Sequence, residues 1–133
     1  MIEVNNLTSY SVDNNLLIKL TLKILKKEFG NNIKKKDLSI ALVAPLRIKE
    51  LNKRYRKKDQ RTDVLSFQDK ESWGEIIICP VVVKKNARKF NSSFKKELSR
   101  VLIHGILHLL GHDHEKAKEK EEMNKKEEYY LNI

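Results

Sequence analysis

Residues 103–114 read IHGILHLLGHDH, and this stretch holds all four histidines of the 133-residue chain. His104 and His108 are four residues apart, so on a helix their side chains lie on one face, about 5–6 Å apart at Cβ. The neighbouring residues are apolar, which predicts that this helix is largely buried. Gly111 can adopt the left-handed conformation that commonly ends a helix. The chain can then turn back and bring His114 towards the other two histidines.

The spacing of these histidines predicts a metal site. Three imidazole ligands leave one position of a tetrahedral zinc ion open, as in catalytic sites, whereas structural sites are closed by four protein ligands. We therefore expect His104, His108 and His114 to hold one Zn²⁺. His112 could be a spare ligand or could support the ligands, but an exposed turn residue is the simpler interpretation.

The pattern H-x-x-x-H-x-x-G-x-x-H is also the ligand spacing of the metzincin peptidases. In those enzymes a glutamate follows the first histidine and takes a proton from the metal-bound water. In this chain Gly105 occupies that position. The spacing indicates zinc, whereas the glycine argues against a peptidase.

The composition favours a polyanionic partner. The chain has 28 Lys and Arg residues against 18 Asp and Glu residues, which gives a net charge of +10. Nucleic acid is the obvious partner for such a charge, although a biased genome composition is an alternative explanation. The basic excess lies in 19–36, 47–61 and 84–100. Segment 115–128 mixes both signs, as a solvated helix face does.

Neither a signal for export nor a membrane span is expected from the sequence. Its single cysteine, Cys79, excludes an internal disulfide and suits a reducing compartment. No apolar run reaches the length of about 18 residues that a membrane span needs. The first residues lack the basic and apolar regions of a signal peptide. We expect one cytoplasmic domain, 1–133.

Hydrophobic periodicity and end signals predict an α+β domain: a small mixed β-sheet with helices packed on it, and the metal-binding histidines on a buried helix and the following turn. Strands are expected at 1–4, 38–43, 64–67 and 74–79. Helices are expected at 13–29, from Pro45, at 80–89, from Ser92 or Ser93 to 110, and after 113 or 114. The last helix is expected to pack through Met123, Tyr129, Tyr130 and Leu131.

Three motifs stand in order along the chain. Residues 51–67 contain L-N-x-x-Y-R-x-x-D-x-x-T-D-V-L-S-F, residues 74–79 contain G-E-I-x-I-C, and residues 104–114 contain H-G-x-L-H-L-x-G-x-D-H. Together they closely resemble the YbeY family of bacterial endoribonucleases that act in rRNA maturation. The family usually has proline where this chain has Arg61 and Gln68, and tyrosine where it has His112.

The resemblance implies that His104, His108 and His114 are zinc ligands and that Arg56 is the active-site arginine. From its position alone, Arg56 would be an exposed side chain in a basic loop. The implied function is a single-strand-specific, metal-dependent endoribonuclease in small-subunit rRNA end processing and ribosome quality control. Implied partners are rRNA precursors, with ribosomal proteins or the small ribosomal subunit, and no membrane.

Two other classes of function stay open at this point. One is a metal-dependent hydrolase or peptidase with another substrate. The other is a non-catalytic ribosome-assembly factor in which the zinc is structural. For the endoribonuclease, Asp63 and Ser66 are candidates to line the same cleft as Arg56, although Ser66 could equally be an ordinary strand residue. The sequence identifies no general base.

Overall fold

The structure is a computed structural model that describes residues 1–69, 73–112 and 116–133, without the side chains of residues 34 and 35. The strands within these residues are β1 (Ile2–Asn6), β2 (Leu38–Leu42), β3 (Val64–Gln68) and β4 (Gly74–Ile78). The α-helices are α1 (Asn14–Phe29), α2 (Pro45–Arg56), α3 (Pro80–Lys89), α4 (Phe94–Leu109) and α5 (Ala117–Leu131), and a 3₁₀ helix, Gly30–Lys35, follows α1. The predicted α+β class is confirmed.

The four strands form one mixed sheet in the order β1-β2-β4-β3. β1, β2 and β4 are parallel, and β3 is an edge strand antiparallel to β4, with Ser66 opposite Ile76. The hairpin predicted from 64–67 and 74–79 is confirmed, while residues 70–72 of its turn lie outside the described part of the chain.

Helices pack on both faces of the sheet because successive apolar side chains along a strand point to opposite faces. Ile76 and Ile78 of β4 join the larger core with residues of α1, α4 and α5, whereas Ile77 points to a smaller core on the other face. That smaller core contains Ile48 and Leu51 of α2. The sheet therefore separates α2 from the histidine helix α4.

The predicted starts of α1, α2, α3 and α4 are confirmed. Asp13 accepts a hydrogen bond from the Leu16 N–H at 3.2 Å, and Ser93 accepts one from the Lys96 N–H at 3.1 Å. Such caps satisfy backbone donors that the first turn leaves without partners. Pro45 and Pro80 stand at the first turns of α2 and α3, where proline loses no helical hydrogen bond.

The end of α4 is a Schellman motif. The Gly111 N–H donates to the His108 carbonyl at 3.0 Å, and the His112 N–H donates to the Leu107 carbonyl at 3.0 Å. Gly111 has φ 94°, so the left-handed conformation predicted there is confirmed. His112 is half-buried, contrary to the exposed position expected of it.

Helix α5 is only partly as expected. Met123 and Tyr130 are buried and Leu131 is partly buried, but Tyr129 is 46% exposed, so its predicted packing role is wrong. Within the described residues, every helix is too short or too polar to cross a membrane.

Candidate metal centre

His104 and His108 face each other one turn apart on α4. Their Nε2 atoms are 3.0 Å apart, and their ring centroids are 4.6 Å apart. Two zinc ligands at 2.0–2.1 Å with tetrahedral angles would have nitrogens about 3.3 Å apart. The pair therefore fits one cation with only a small adjustment of either ring.

The third predicted ligand, His114, lies outside the described residues. In the ranges 1–69, 73–112 and 116–133, no group of three His, Cys, Asp or Glu side chains is arranged to hold a metal ion. The three-histidine metal site therefore stays a prediction. The structure brings together two of its histidines, His104 and His108.

The two histidines open onto a cleft of ≈ 670 Å³ between α4 and the edge of the sheet. Its polar lining comes from α2, β3, α4 and the segment before β3, and includes Arg56, Asp63, Ser66, Gln68, His104 and His108. The expected position of Asp63 and Ser66 in the same cleft as Arg56 is confirmed. The ionisable groups of this lining are a guanidinium, a carboxylate and two imidazoles.

Arg56 is exposed, as its position in the chain suggests, but its guanidinium is held against the cleft wall. Its Nη2 donates to the Ser66 carbonyl at 2.6 Å, and its Cζ lies 4.9 Å from the centroid of the Phe67 ring. A guanidinium has five N–H donors, so a single bond to Ser66 is compatible with phosphate binding.

Side-chain hydrogen bonds join β3 to α4 beside the histidines. Ser66 Oγ donates to the Gly105 carbonyl at 3.0 Å, and Gln68 Nε2 donates to the Leu109 carbonyl at 3.1 Å. A Cβ at Gly105 would lie 3.1 Å from Ser66 Oγ. Glycine after the first histidine therefore suits the close approach of α4 to β3, where a side chain would crowd Ser66.

Sequence reasoning missed two polar residues that shape the site. Asn52 is buried on α2 and donates to the Gln60 carbonyl at 3.0 Å, which anchors the segment between Arg56 and β3. Glu127 on α5 places Oε1 2.6 Å from His104 Nδ1, across 23 residues of chain. Asn52 stood within the first motif, where its burial could have been suspected, whereas no local pattern distinguishes Glu127.

Three comparisons relate this chain to known proteins. Residues 3–133 match the family model described as endoribonuclease YbeY. The endoribonuclease YbeY of Thermotoga maritima is 46% identical over 112 residues, which are 82% of this chain and 72% of that protein. The protein of the same name from Carboxydothermus hydrogenoformans is 35% identical over 136 residues, covering 98% of this chain and 95% of that protein.

A solved structure agrees with the fold. The solution structure of TM1509 from Thermotoga maritima superposes with a TM-score of 0.70 at 40% sequence identity. The match covers 99% of this chain and 87% of that one. The similarity therefore extends over the sheet, the helices and the cleft together.

Proposed function

Because the chain belongs to the endoribonuclease YbeY family, we propose that it is a metal-dependent endoribonuclease that cleaves single-stranded rRNA precursors. The observation that carries the metal dependence is the 3.0 Å approach of two Nε2 atoms in a cleft lined by Arg56. One Zn²⁺ per chain would be held by His104, His108 and His114. The cellular roles would be small-subunit rRNA end processing and ribosome quality control, with the small ribosomal subunit or its proteins as further partners.

Hydrolysis of a phosphodiester needs an activated water and stabilisation of the charge on the phosphoryl oxygens. A zinc ion bound by three histidines lowers the pKa of its water towards about 7 and polarises a phosphoryl oxygen. Arg56 would bind the scissile phosphate, since a guanidinium stays charged and offers parallel N–H donors to two oxygens. Its bond to the Ser66 carbonyl orients the group before the substrate arrives.

The basic segment beside the cleft suits an RNA backbone. Lys57, Lys58 and Arg61 follow Arg56 in an exposed stretch that leads to the cleft residues Thr62 and Asp63. Contacts of lysine and arginine with phosphates depend on salt and read little sequence. RNA structure and ribosomal partners would then direct the enzyme to its cleavage site.

The peptidase alternative is disfavoured by the surroundings of Gly105. The Cβ of a glutamate there would lie only 3.1 Å from Ser66 Oγ and 3.3 Å from a methyl carbon of Val64. The general base of a metzincin would therefore be crowded at this position. A non-catalytic assembly factor is the alternative that an activity assay must exclude.

An RNA cleavage assay on rRNA precursors tests the proposal. We expect Arg56→Ala to lower the rate about 10²–10³-fold, as loss of one transition-state donor does, and His108→Ala to abolish cleavage. Arg54→Ala is the matched control, because Arg54 is also exposed in the last turn of α2, where it packs on Tyr55 outside the cleft lining.

Two outcomes would count against the proposal. Cleavage that survives both Arg56→Ala and His108→Ala would remove this mechanism. Native protein that binds the precursors without cutting them, with zinc present, would favour the assembly factor.

A further inference from the structure

We propose that Glu127 is a positioning residue of the metal site, which holds the His104 imidazole in the tautomer and orientation that a cation needs. The inference rests on the metal site of the proposed function. Glu127 Oε1 lies 2.6 Å from His104 Nδ1, slightly closer than the roughly 2.7–2.9 Å of charge-assisted N–H···O hydrogen bonds. The Glu127 side chain is only 16% exposed, so this contact is shielded from solvent.

The contact selects one tautomer of His104. An ionised carboxylate can only accept hydrogen bonds, so the proton between Glu127 and His104 belongs to Nδ1. The lone pair of a neutral His104 is then on Nε2, the atom that lies 3.0 Å from His108 Nε2. Metal-binding histidines commonly bond a carboxylate through the second ring nitrogen in this way.

Glu127 acts on His104 from outside the cleft. It lines a second cavity of ≈ 200 Å³ together with His104 and Arg100. His104, Asp63 and Val64 also line the cleft that contains His108, whereas Glu127 is not part of that lining. The two ring nitrogens of an imidazole point away from each other. A cation on Nε2 is therefore out of reach of Glu127, which orients a ligand without being one.

The position of Glu127 is fixed by its neighbours on α5. Lys126 Nζ and the Tyr130 hydroxyl both donate to Glu28 Oε1 of α1, at 2.8 Å and 2.6 Å. These bonds hold the turn of α5 that carries Glu127 against the rest of the protein. The other glutamates of α5 are all exposed: Glu119, Glu121, Glu122 and Glu128.

The zinc dissociation constant of the full chain, measured by competition with a chromophoric chelator, tests this role. We expect Glu127→Gln, which keeps the size of the side chain and removes its charge, to weaken zinc binding about 10–100-fold. Glu128→Gln is the matched control, because Glu128 is the next residue of the same helix and is 65% exposed. It should stay within about threefold of wild type.

The outcomes separate this inference from the metal site itself. If Glu127→Gln binds zinc as tightly as wild type while His108→Ala loses it, the role of Glu127 is overturned and the metal site stands. If His108→Ala keeps wild-type affinity, the zinc is bound elsewhere and both are overturned.

A second readout detects the tautomer directly. In long-range ¹H–¹⁵N spectra of the full chain before zinc is added, we expect the neutral His104 ring to carry its proton on Nδ1. In Glu127→Gln the spectrum should change to a mixture of tautomers, because an amide both donates and accepts. An unchanged tautomer in that variant would contradict the proposal.

Discussion

At the scale of single residues, Gly105 explains why a metzincin-like spacing lacks the peptidase glutamate. The residue is buried, and a Cβ there would meet Ser66 Oγ at 3.1 Å and methyl groups of Val64 and Ile76 at 3.3 Å. Its carbonyl also accepts a hydrogen bond from the Ser66 hydroxyl, with 3.0 Å between the two oxygens. The absence of a side chain is thus what allows α4 to lie close to β3 and to present His104 and His108 to the cleft.

Substitution of Gly105 by glutamate should damage the fold without creating a peptidase. We expect Gly105→Glu to lower the free energy of unfolding by about 3 kcal/mol or more, because it overpacks the helix–strand contact and buries a carboxylate. Urea unfolding monitored by circular dichroism measures this change.

The control for that experiment is Lys95→Gln, at an exposed position of the same helix. It should change stability by less than about 0.5 kcal/mol. A Gly105→Glu protein as stable as this control would mean that α4 does not need to approach β3 closely.

Sequence alone predicted the paired histidines because their chemistry is local. His104 and His108 are one helical turn apart, so the periodicity of α4 is enough to place them together. Glu127 depends on a contact across 23 residues and on the docking of a separate helix. Such a pairing follows from tertiary packing, which no spacing along the chain expresses.

At the scale of elements, α5 is held by charges as much as by apolar contacts. It buries Met123 and Tyr130, while Lys126 and Tyr130 bond Glu28 of α1. Burial acts to raise the pKa of the Glu28 carboxyl, but the hydrogen bonds from Lys126 and Tyr130 outweigh it and leave that pKa below its ordinary value. Burial and the bond to Glu28 together raise the pKa of the Tyr130 hydroxyl.

Loss of the Glu28 charge should weaken the docking of α5 in a pH-dependent way. A lowered carboxyl pKa stabilises the folded state above the unfolded pKa of about 4.3, and this contribution is lost as the pH falls through the folded value. We expect Glu28→Gln to lower the free energy of unfolding by about 1 kcal/mol at pH 7.

Chemical unfolding at pH 7 and near pH 3 checks this prediction, since the difference between Glu28→Gln and wild type should shrink in acid. Glu121→Gln on the exposed side of α5 is the control and should show little change at either pH. A Glu28→Gln effect that stays constant with pH would show that packing, and not charge, docks the helix.

The ends of the helices were more predictable than their docking. Asp13, Ser93 and Gly111 act on backbone groups within a few residues, so the sequence identifies them directly. The partner of α5 depends on Glu28, about 100 residues earlier, and its weak apolar pattern wrongly suggested that Tyr129 is buried.

At the scale of the whole molecule, the sheet edge and two helices line the cleft that contains Arg56, His104 and His108. The motif at 51–67 supplies the second half of α2, the following segment and most of β3. The motif at 74–79 supplies β4, and the described part of the motif at 104–114 supplies the end of α4. Their juxtaposition across the sheet follows from the antiparallel pairing of β3 with β4 and the packing of α4 on β3. The resemblance of the motifs predicted that they share a site, whereas the spacing alone predicted only the histidine pair.

RNA binding should depend on salt and on the basic segment beside the cleft. For single strands, the slope of log affinity against log salt falls by about 0.7 for each phosphate contact removed. We expect Arg61→Gln to reduce the slope by about this amount in a fluorescence-anisotropy titration with single-stranded RNA.

Lys118→Gln removes one charge from the exposed face of α5 and serves as the control for that titration. Its slope should equal that of the wild type. Equal slopes for all three proteins would show that the RNA backbone does not follow the segment between α2 and β3.

The central claim is that His104 and His108 bind one cation at the floor of this cleft. Anomalous diffraction at the zinc edge, from crystals grown with zinc, tests it most directly. We predict a single peak about 2.0–2.1 Å from both Nε2 atoms, with His114 as a further ligand. An anomalous map with no peak between these two nitrogens would contradict the claim. A zinc ion bound elsewhere on the chain would contradict it as well.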